Sequence, residues 1–355
     1  MENTHHKKFI INYENKIGHG AFGDVFTAED INEISINKTI YAAKQINYEK
    51  EGLEALANEI LINTEFQNEN LVEFFGIYEY NDKYFLIFEY CNGGDLESNF
   101  KLYYEKFNKN FNEEIIQKII KDILNGLSCL HRNNVIHHDL KFSNILVNFK
   151  NDEDKNNLNL LNATFKITDF GLSKFTNDIN KTPGNINGTP SYIPPCLINI
   201  LVQNLNKEQN IIENDAVDMW SLGILTFRLI FNLHPFLSQN EEKSKNTPQK
   251  LLNLYKYFDN GKYHINLKDG QVKIISKEIL IFLDGILKKK QQWRYSSEDC
   301  EYSRFITRDV KKFHYINKDN YFKELPKEFI DEDGIILDIN NEKKLKEYTE
   351  VIDVL

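Results

Sequence analysis

The sequence predicts an α+β chain in two parts, a small antiparallel sheet with one main helix followed by a larger, mostly helical part. Three stretches carry that prediction. Phe9 to Ile17 and Val25 to Ala28 are strand-like and flank a glycine-rich segment, so they read as a hairpin. Glu51 to Phe66 follows a helical pattern, and a second, more apolar helix opens at Asp218 and runs to about Phe231. A chain of 355 residues, 41% of them hydrophobic, is long enough for two separate cores.

The hairpin comes first. Its turn is Ile17-Gly18-His19-Gly20-Ala21-Phe22-Gly23-Asp24-Val25, a G-x-G-x-x-G spacing that a dinucleotide fold would follow with a helix and this chain follows with a strand. Glycines let the main chain approach a ligand closely, so such a turn can lay backbone N–H groups over phosphate oxygens. The next strand, Tyr41-Ala42-Ala43-Lys44-Gln45-Ile46, sets the Lys44 ammonium among apolar residues. Without a partner that is costly. The Glu51 to Phe66 helix offers Glu59 as the partner, while Glu54 and Glu65 read as its solvated face.

Further on, His137-His138-Asp139-Leu140-Lys141-Phe142-Ser143-Asn144 precedes Asp169-Phe170-Gly171. That order supplies a base, a cation and two metal ligands. Moving a γ-phosphoryl group needs positioning and charge neutralisation more than covalent help. Asp139 would orient a hydroxyl and accept its proton. Lys141, two residues on in an extended loop, would neutralise the γ-phosphate. Asn144 and Asp169 offer hard oxygens that suit Mg²⁺ or Mn²⁺ shared with nucleotide phosphates. Taken singly, either motif also reads as ordinary turn residues.

With the glycine hairpin and Lys44 upstream, H-x-D-x-x-x-x-N and D-F-G together resemble the eukaryotic-type protein kinase family, serine/threonine class. The resemblance implies a two-lobed kinase domain over residues 9–308, with a small lobe at about 9–90 and a large lobe at about 91–308. Residues 1–8 would be an N-terminal extension and 309–355 a C-terminal tail. It also implies ATP as phosphoryl donor with Mg²⁺ or Mn²⁺, and Lys44 on the α- and β-phosphates, held by Glu59. The nucleotide would lie against Ile17, Gly18, Gly20 and Gly23, with Val25 and Ala42 above the adenine and Leu146 below. Those last three also suit a plain core, and both readings hold together.

Phe85-Leu86-Ile87-Phe88-Glu89-Tyr90-Cys91-Asn92-Gly93-Gly94-Asp95-Leu96 resembles the family's hinge. By that match Phe88 is the bulky residue behind the adenine, the backbone of Glu89 and Cys91 bonds the adenine edge, and Asp95 contacts the ribose. Gly188-Thr189-Pro190-Ser191-Tyr192-Ile193-Pro194-Pro195-Cys196 resembles the end of an activation segment. Asp218 would accept backbone N–H groups of the catalytic loop. Lys141 together with Thr189 points to serine/threonine hydroxyls, since in the family this threonine bonds the catalytic aspartate and lysine. Pro235-Phe236 and Gln292-Trp293-Arg294-Tyr295-Ser296 complete the match.

Three positions depart from the family. His138 stands where arginine is usual, Cys196 replaces a glutamate whose partner would be Arg294, and Asn63 replaces an apolar residue expected against Phe74 and Phe170. None removes a reacting group. The function implied is transfer of the ATP γ-phosphoryl group to a protein serine or threonine hydroxyl. The alternative is a nucleotide-binding pseudokinase scaffold, disfavoured because Lys44, Glu59, Asp139, Lys141, Asn144 and Asp169 are all present.

Composition bounds the partners. A net charge of −10 argues against nucleic acid as the main partner, and the resemblance implies a protein substrate. Cys91, Cys129, Cys196 and Cys300 lie far apart without metal-type spacing, which points to a reducing compartment, the cytoplasm with the nucleus left open. Arg228 and His234 interrupt the apolar helix, so no membrane span is expected, and the oligomeric state is not encoded legibly. Asn148 to Ala163 reads as a solvated polar insertion and Gln239 to Thr247 as a polar loop. In the tail, the aromatic half reads as a packing segment and Asn341 to Val354 as a short helix.

Overall fold

The structure is a computed structural model that describes residues 8–20, 23–33, 38–47, 53–176, 188–203, 214–242, 244–257, 275–309 and 315–316. Its contacts divide the chain into two units, residues 1–99 with 143–173 and residues 100–142 with 174–355. The order of elements read from the sequence is the one observed, an antiparallel sheet with one main helix followed by a mostly helical C-terminal part.

In the first unit, β1 (Phe9–Gly20), β2 (Gly23–Asp30), β3 (Ile40–Gln45), β4 (Phe74–Tyr80) and β5 (Lys83–Glu89) form one antiparallel sheet in the order β1-β2-β3-β5-β4. The helix α1 (Leu53–Glu65) lies between β3 and β4 in sequence; the predicted start at Glu51 falls outside the described residues. Strand alternation divides the side chains between two faces. Phe9, Ile11, Phe26, Ala28, Tyr41, Ala43, Phe85 and Ile87 form one cluster. Ala42, Leu86 and Phe88 fall on the other face, where they join Leu56 and Ile60 of α1 with Val72 and Leu146. Lys44, two residues after Ala42, shares the face that meets α1.

The hairpin register explains one glycine. Gly23 has φ 148°, and a Cβ there would overlap the carbonyl oxygen of Gln45. Only glycine fits, whatever ligand the turn meets.

The polar stretch after Phe149 is largely solvated, as its composition predicts, and it also contains a short helix, Asp152–Asn157, between two paired strands, Ile145–Phe149 and Ala163–Ile167. Asn151 caps the helix by accepting the Asp154 N–H at 2.8 Å, and Leu158 ends it in the left-handed region at φ 53°. Asp154 is 8% exposed, and its carboxylate accepts carboxamide N–H groups from Asn151, Asn159 and Asn162 at 3.0, 2.7 and 3.0 Å. One buried carboxylate thus organises an otherwise exposed segment.

The second unit is organised by two helices. Glu113–Arg132 is capped by Asn112 and buries a stripe that includes Ile116, Ile119, Ile120, Ile123, Leu127 and Leu130. Ala216–Phe231 is buried nearly all round, as its apolar sequence requires. Trp220 on it stacks against Phe236 at 5.8 Å and meets Tyr255 edge-on. The predicted polar loop after Gln239 contains a helical turn, Gln239–Glu242, and a helix that begins at Thr247. From the tail, Tyr315–Ile316 pairs with Ile275–Ser276, and the proposed Asn341 to Val354 helix lies outside the described residues.

Candidate active site

In the first unit, strand and helix periodicities bring a buried ion cluster together. Leu56, Glu59, Ile60 and Asn63 share one face of α1, and Lys44 projects from β3 toward it. Lys44 Nζ lies 2.7 Å from Glu59 Oε1 and 3.3 Å from Asp169 Oδ1. The Glu59 contact was expected. The Asp169 contact was not, because it depends on a loop conformation: Asp169 has φ 70°, a left-handed backbone that no hydrophobic pattern encodes.

The charges in this cluster do not balance. One ammonium faces two carboxylates. Burial works against the Lys44 ammonium, yet Glu59 and then Asp169 outweigh it and hold its pKa above the ordinary lysine value. Burial pushes the Glu59 pKa up, Lys44 opposes this, and the Asp169 charge adds to the rise. A second cation would relieve that excess.

Asn144 is 5% exposed, and its carbonyl accepts the Thr168 N–H at 3.0 Å, which ties it to the strand end next to Asp169. The amide and carboxylate oxygens of Asn144 and Asp169 fit Mg²⁺ or Mn²⁺. Among the described residues no group of three or more His, Cys, Asp or Glu side chains is placed to hold a metal ion.

The other predicted nucleotide residues of this unit sit as follows. Ile17 is 39% exposed on β1, and Gly18 pairs across the hairpin with Val25, Gly20 with Gly23. Val25 pairs with Lys44, and Ala42 pairs with Phe88. Ala42 and Leu146 belong to the apolar cluster around Phe88, so a core role for them is real. The Glu89 N–H is already bonded to the Glu73 carbonyl at 2.9 Å, while its side chain accepts the Glu73 N–H and pairs with Lys166, each at 2.7 Å. Lys166 is a partner that sequence reading missed. The Cys91 thiol is pushed up to about 12, first by burial and then by the Glu89 charge, so it stays protonated and unreactive. Asp95 accepts the Ser98 N–H at 2.7 Å and the Ser98 hydroxyl at 3.0 Å, capping the Leu96–Phe107 helix.

The second unit holds Asp139 and Lys141. Asp139 Oδ1 accepts the Thr189 N–H at 3.0 Å and the Thr189 hydroxyl at 2.9 Å, and Oδ2 accepts Lys141 Nζ at 2.5 Å. Lys141 also donates to Thr189 Oγ1 at 2.9 Å. The triangle holds the carboxylate in one orientation. Gly188 permits it: its φ is 132°, and an added Cβ would sit 3.2 Å from the His138 carbonyl oxygen.

Asp218 fixes the loop from beneath. Fully buried, it accepts the His137 and His138 N–H groups at 2.8 and 2.9 Å and His131 Nε2 at 3.0 Å. Burial alone would raise its pKa. The His131 hydrogen bond and the charges of His131, His137 and His138 outweigh burial and lower it. His138 itself has φ 67°, a conformation held by these bonds. His131 escaped the sequence reading, although its place in the last turn of an otherwise apolar helix face is a usable signal. Nδ1 of the same ring meets Ser297 Oγ at 3.1 Å.

Arg294, left without its usual glutamate by Cys196, is 7% exposed and donates to the carbonyls of Lys288 and Ala216. Its guanidinium also lies 5.0 Å from the centre of the Trp220 ring. Burial lowers its pKa to about 10.

A family model described as Protein kinase domain matches residues 11–306. The serine/threonine-protein kinase CST20 of Candida albicans, from strains WO-1 and SC5314 / ATCC MYA-2876, is 31% identical over 293 residues, 82% of this chain and 20% of that protein. The chain thus spans about a fifth of the length of the curated relatives it matches. Among the described residues, no helix is long and apolar enough to cross a membrane.

Proposed function

The chain belongs to the protein kinase family, and from that premise we propose that it is an active, Mg²⁺-dependent serine/threonine kinase that phosphorylates protein hydroxyls with ATP. The observation that carries the reading is Lys44 bridging Glu59 and Asp169 at 2.7 and 3.3 Å, the arrangement in which a phosphate-binding cation is held in place before nucleotide arrives. The Asp139–Lys141–Thr189 triangle supports serine or threonine as acceptor.

In the proposed reaction, the substrate hydroxyl oxygen forms a bond to the γ-phosphorus as the bond from that phosphorus to the β–γ bridging oxygen breaks, and ADP leaves. Asp139 orients the hydroxyl and takes its proton. Lys141 neutralises charge that develops on the γ-phosphoryl oxygens. Lys44, steadied by Glu59, holds the α- and β-phosphates. Asn144 and Asp169 would hold the metal, which supplies charge neutralisation to the phosphates when bound. The adenine would use the backbone of Glu89 and Cys91 between Val25, Ala42 and Leu146.

The three departures, His138, Cys196 and Asn63, are the features that favour the pseudokinase alternative. A radiolabelled-ATP assay on the purified chain with generic basic proteins, beside Asp139→Asn, decides between the two. Transfer that needs Mg²⁺ or Mn²⁺ and vanishes in the variant supports the kinase. Nucleotide binding with no transfer supports the scaffold.

A further inference from the structure

The end of the predicted hinge runs along the Ile145–Phe149 strand, on the edge opposite to its partner Ala163–Ile167. Asp95 forms an antiparallel bridge with Leu146, the Val147 N–H donates to the Gly94 carbonyl at 2.8 Å, and the Gly93 N–H donates to the Val147 carbonyl at 2.8 Å. Phe149 is the next residue to turn its N–H and carbonyl to that edge, and a side chain pairs with it. Oδ1 of Asn92 accepts the Phe149 N–H at 2.8 Å, and Nδ2 donates to the Phe149 carbonyl at 3.0 Å. A carboxamide sets an acceptor beside a donor as a peptide group does, so it extends the alternate pairing of a ladder by one step. Reversing the amide would break both bonds.

The same segment is held from a second side. Nδ2 of Asn99, a residue only 1% exposed, donates to the carbonyls of Gly93 and Asp95 at 2.8 Å each. Phe149 is itself buried, so solvent is a poor substitute for the Asn92 amide. What these bonds define is a distance. At one end of it stands the backbone of Cys91, one residue before Asn92. At the other stands Leu146, whose side chain joins Ala42 and Phe88 in an apolar cluster.

We propose that Asn92 is a positioning residue for the nucleobase: by stitching the hinge to this strand it fixes the spacing between the backbone that reads the base edge and the Leu146 floor, and so sharpens the preference for adenine over guanine. The inference rests on the kinase reading. Contacts to the triphosphate do not depend on that spacing. Main-chain groups that read a base edge do, because hydrogen bonds weaken steeply once their geometry is not held and ordering them on binding costs affinity.

The test measures Kd for ATP and for GTP, each with Mg²⁺, by titration calorimetry on the full chain as wild type, Asn92→Ala, Asn92→Asp and Asn159→Ala, with melting temperatures alongside. Asn159→Ala removes a bond to Asp154 in the same unit without touching the hinge, so it controls for lost stability. Asn92→Ala is expected to weaken ATP binding about fivefold, the worth of roughly one hydrogen bond, and GTP binding by less than about twofold. Asn92→Asp should narrow the ATP-to-GTP ratio as much, since it keeps the bond from the Phe149 N–H but sets a carboxylate oxygen against the Phe149 carbonyl. Asn159→Ala should lower the melting temperature and keep the wild-type ratio. A lower melting temperature for Asn92→Ala with the wild-type ratio would give Asn92 a structural role only and overturn the proposal, as would an equal change of ratio in Asn159→Ala or a wild type that binds both nucleotides alike. If wild type binds neither nucleotide, the kinase reading falls and this inference with it, whereas ATP binding with a ratio that ignores Asn92 sinks this inference alone.

Discussion

Glu59 and Asp218 are both buried carboxylates, 2% and 0% exposed, yet their pKa values move in opposite directions. Glu59 shares a single ammonium with a second acid. Asp218 has three donors to itself: two backbone N–H groups and the His131 ring. Burial is common to both, so donor supply decides the sign. The Lys44 cluster is therefore left with negative charge in excess, which favours a further cation, while the Asp218 site holds a loop still. One carboxylate is short of donors, and the other is satisfied.

The largest effect should come from removing the shared cation. Lys44→Met leaves buried Glu59 and half-buried Asp169 without their shared cation, and Asp169→Asn removes the proposed metal ligand. Each is expected to lower turnover at least a hundredfold, ~3–4 kcal/mol of lost transition-state stabilisation, with the chain still folded by circular dichroism. Near-normal turnover in both would break the assignment.

Next in size is Asp218→Asn, which turns a satisfied acceptor into a group whose NH₂ opposes its former donors. A stability loss of ~3 kcal/mol is expected in urea unfolding at pH 7, and ~2 kcal/mol less for Glu59→Gln. Equal losses would show that burial alone governs both sites.

The comparison extends to a buried base. His234 donates from Nε2 to the Ser191 carbonyl at 2.8 Å and accepts at Nδ1 from the N–H groups of Phe236 and Leu237 at 3.0 and 3.1 Å, so the fold uses the neutral ring. Burial lowers its pKa to about 3. Between that value and the unfolded ~6.5 the unfolded chain binds the extra proton, so stability is full above pH 6.5 and is lost as pH falls. The expected contribution to the slope between pH 7 and 5 is at most ~1.4 kcal/mol per pH unit. Thermal melts of His234→Gln over that range should show a shallower decline.

Cys196→Glu should have the smallest effect. Restoring the family's acid beside Arg294 is expected to change stability by no more than ~0.5 kcal/mol, because a buried ion pair gains little over the carbonyl bonds already in place. Chemical denaturation of the variant against wild type measures it, and a gain above ~2 kcal/mol would mean that Arg294 is poorly satisfied.

Much of this was legible in the sequence, for reasons that can be named. An ammonium in an apolar strand called for a partner, and the resemblance to the kinase family identified Glu59 as that partner. The Asp218 bonds and the Thr189 triangle were legible through the resemblance. What was not legible depends on loop backbone and on polar side chains that bury themselves. Nothing periodic marks the left-handed turn that brings Asp169 to Lys44. Composition marked the segment around Asn151, Asn159 and Asn162 as solvated, which it largely is, but did not reveal that their amides gather on the one buried carboxylate of Asp154. The helix-capping role of Asp95 was not read from the sequence, since the same residue type serves caps and ligands alike.

The way Arg294 is satisfied bears on how this sequence can change over time. Where an arginine depends on one acid, the two positions are locked together and neither can drift alone. Here the guanidinium leans on main-chain carbonyls and the face of Trp220, and carbonyls are supplied by every residue type. Cys196 still hydrogen-bonds the guanidinium, so position 196 stays in contact with the arginine while carrying no obligatory charge.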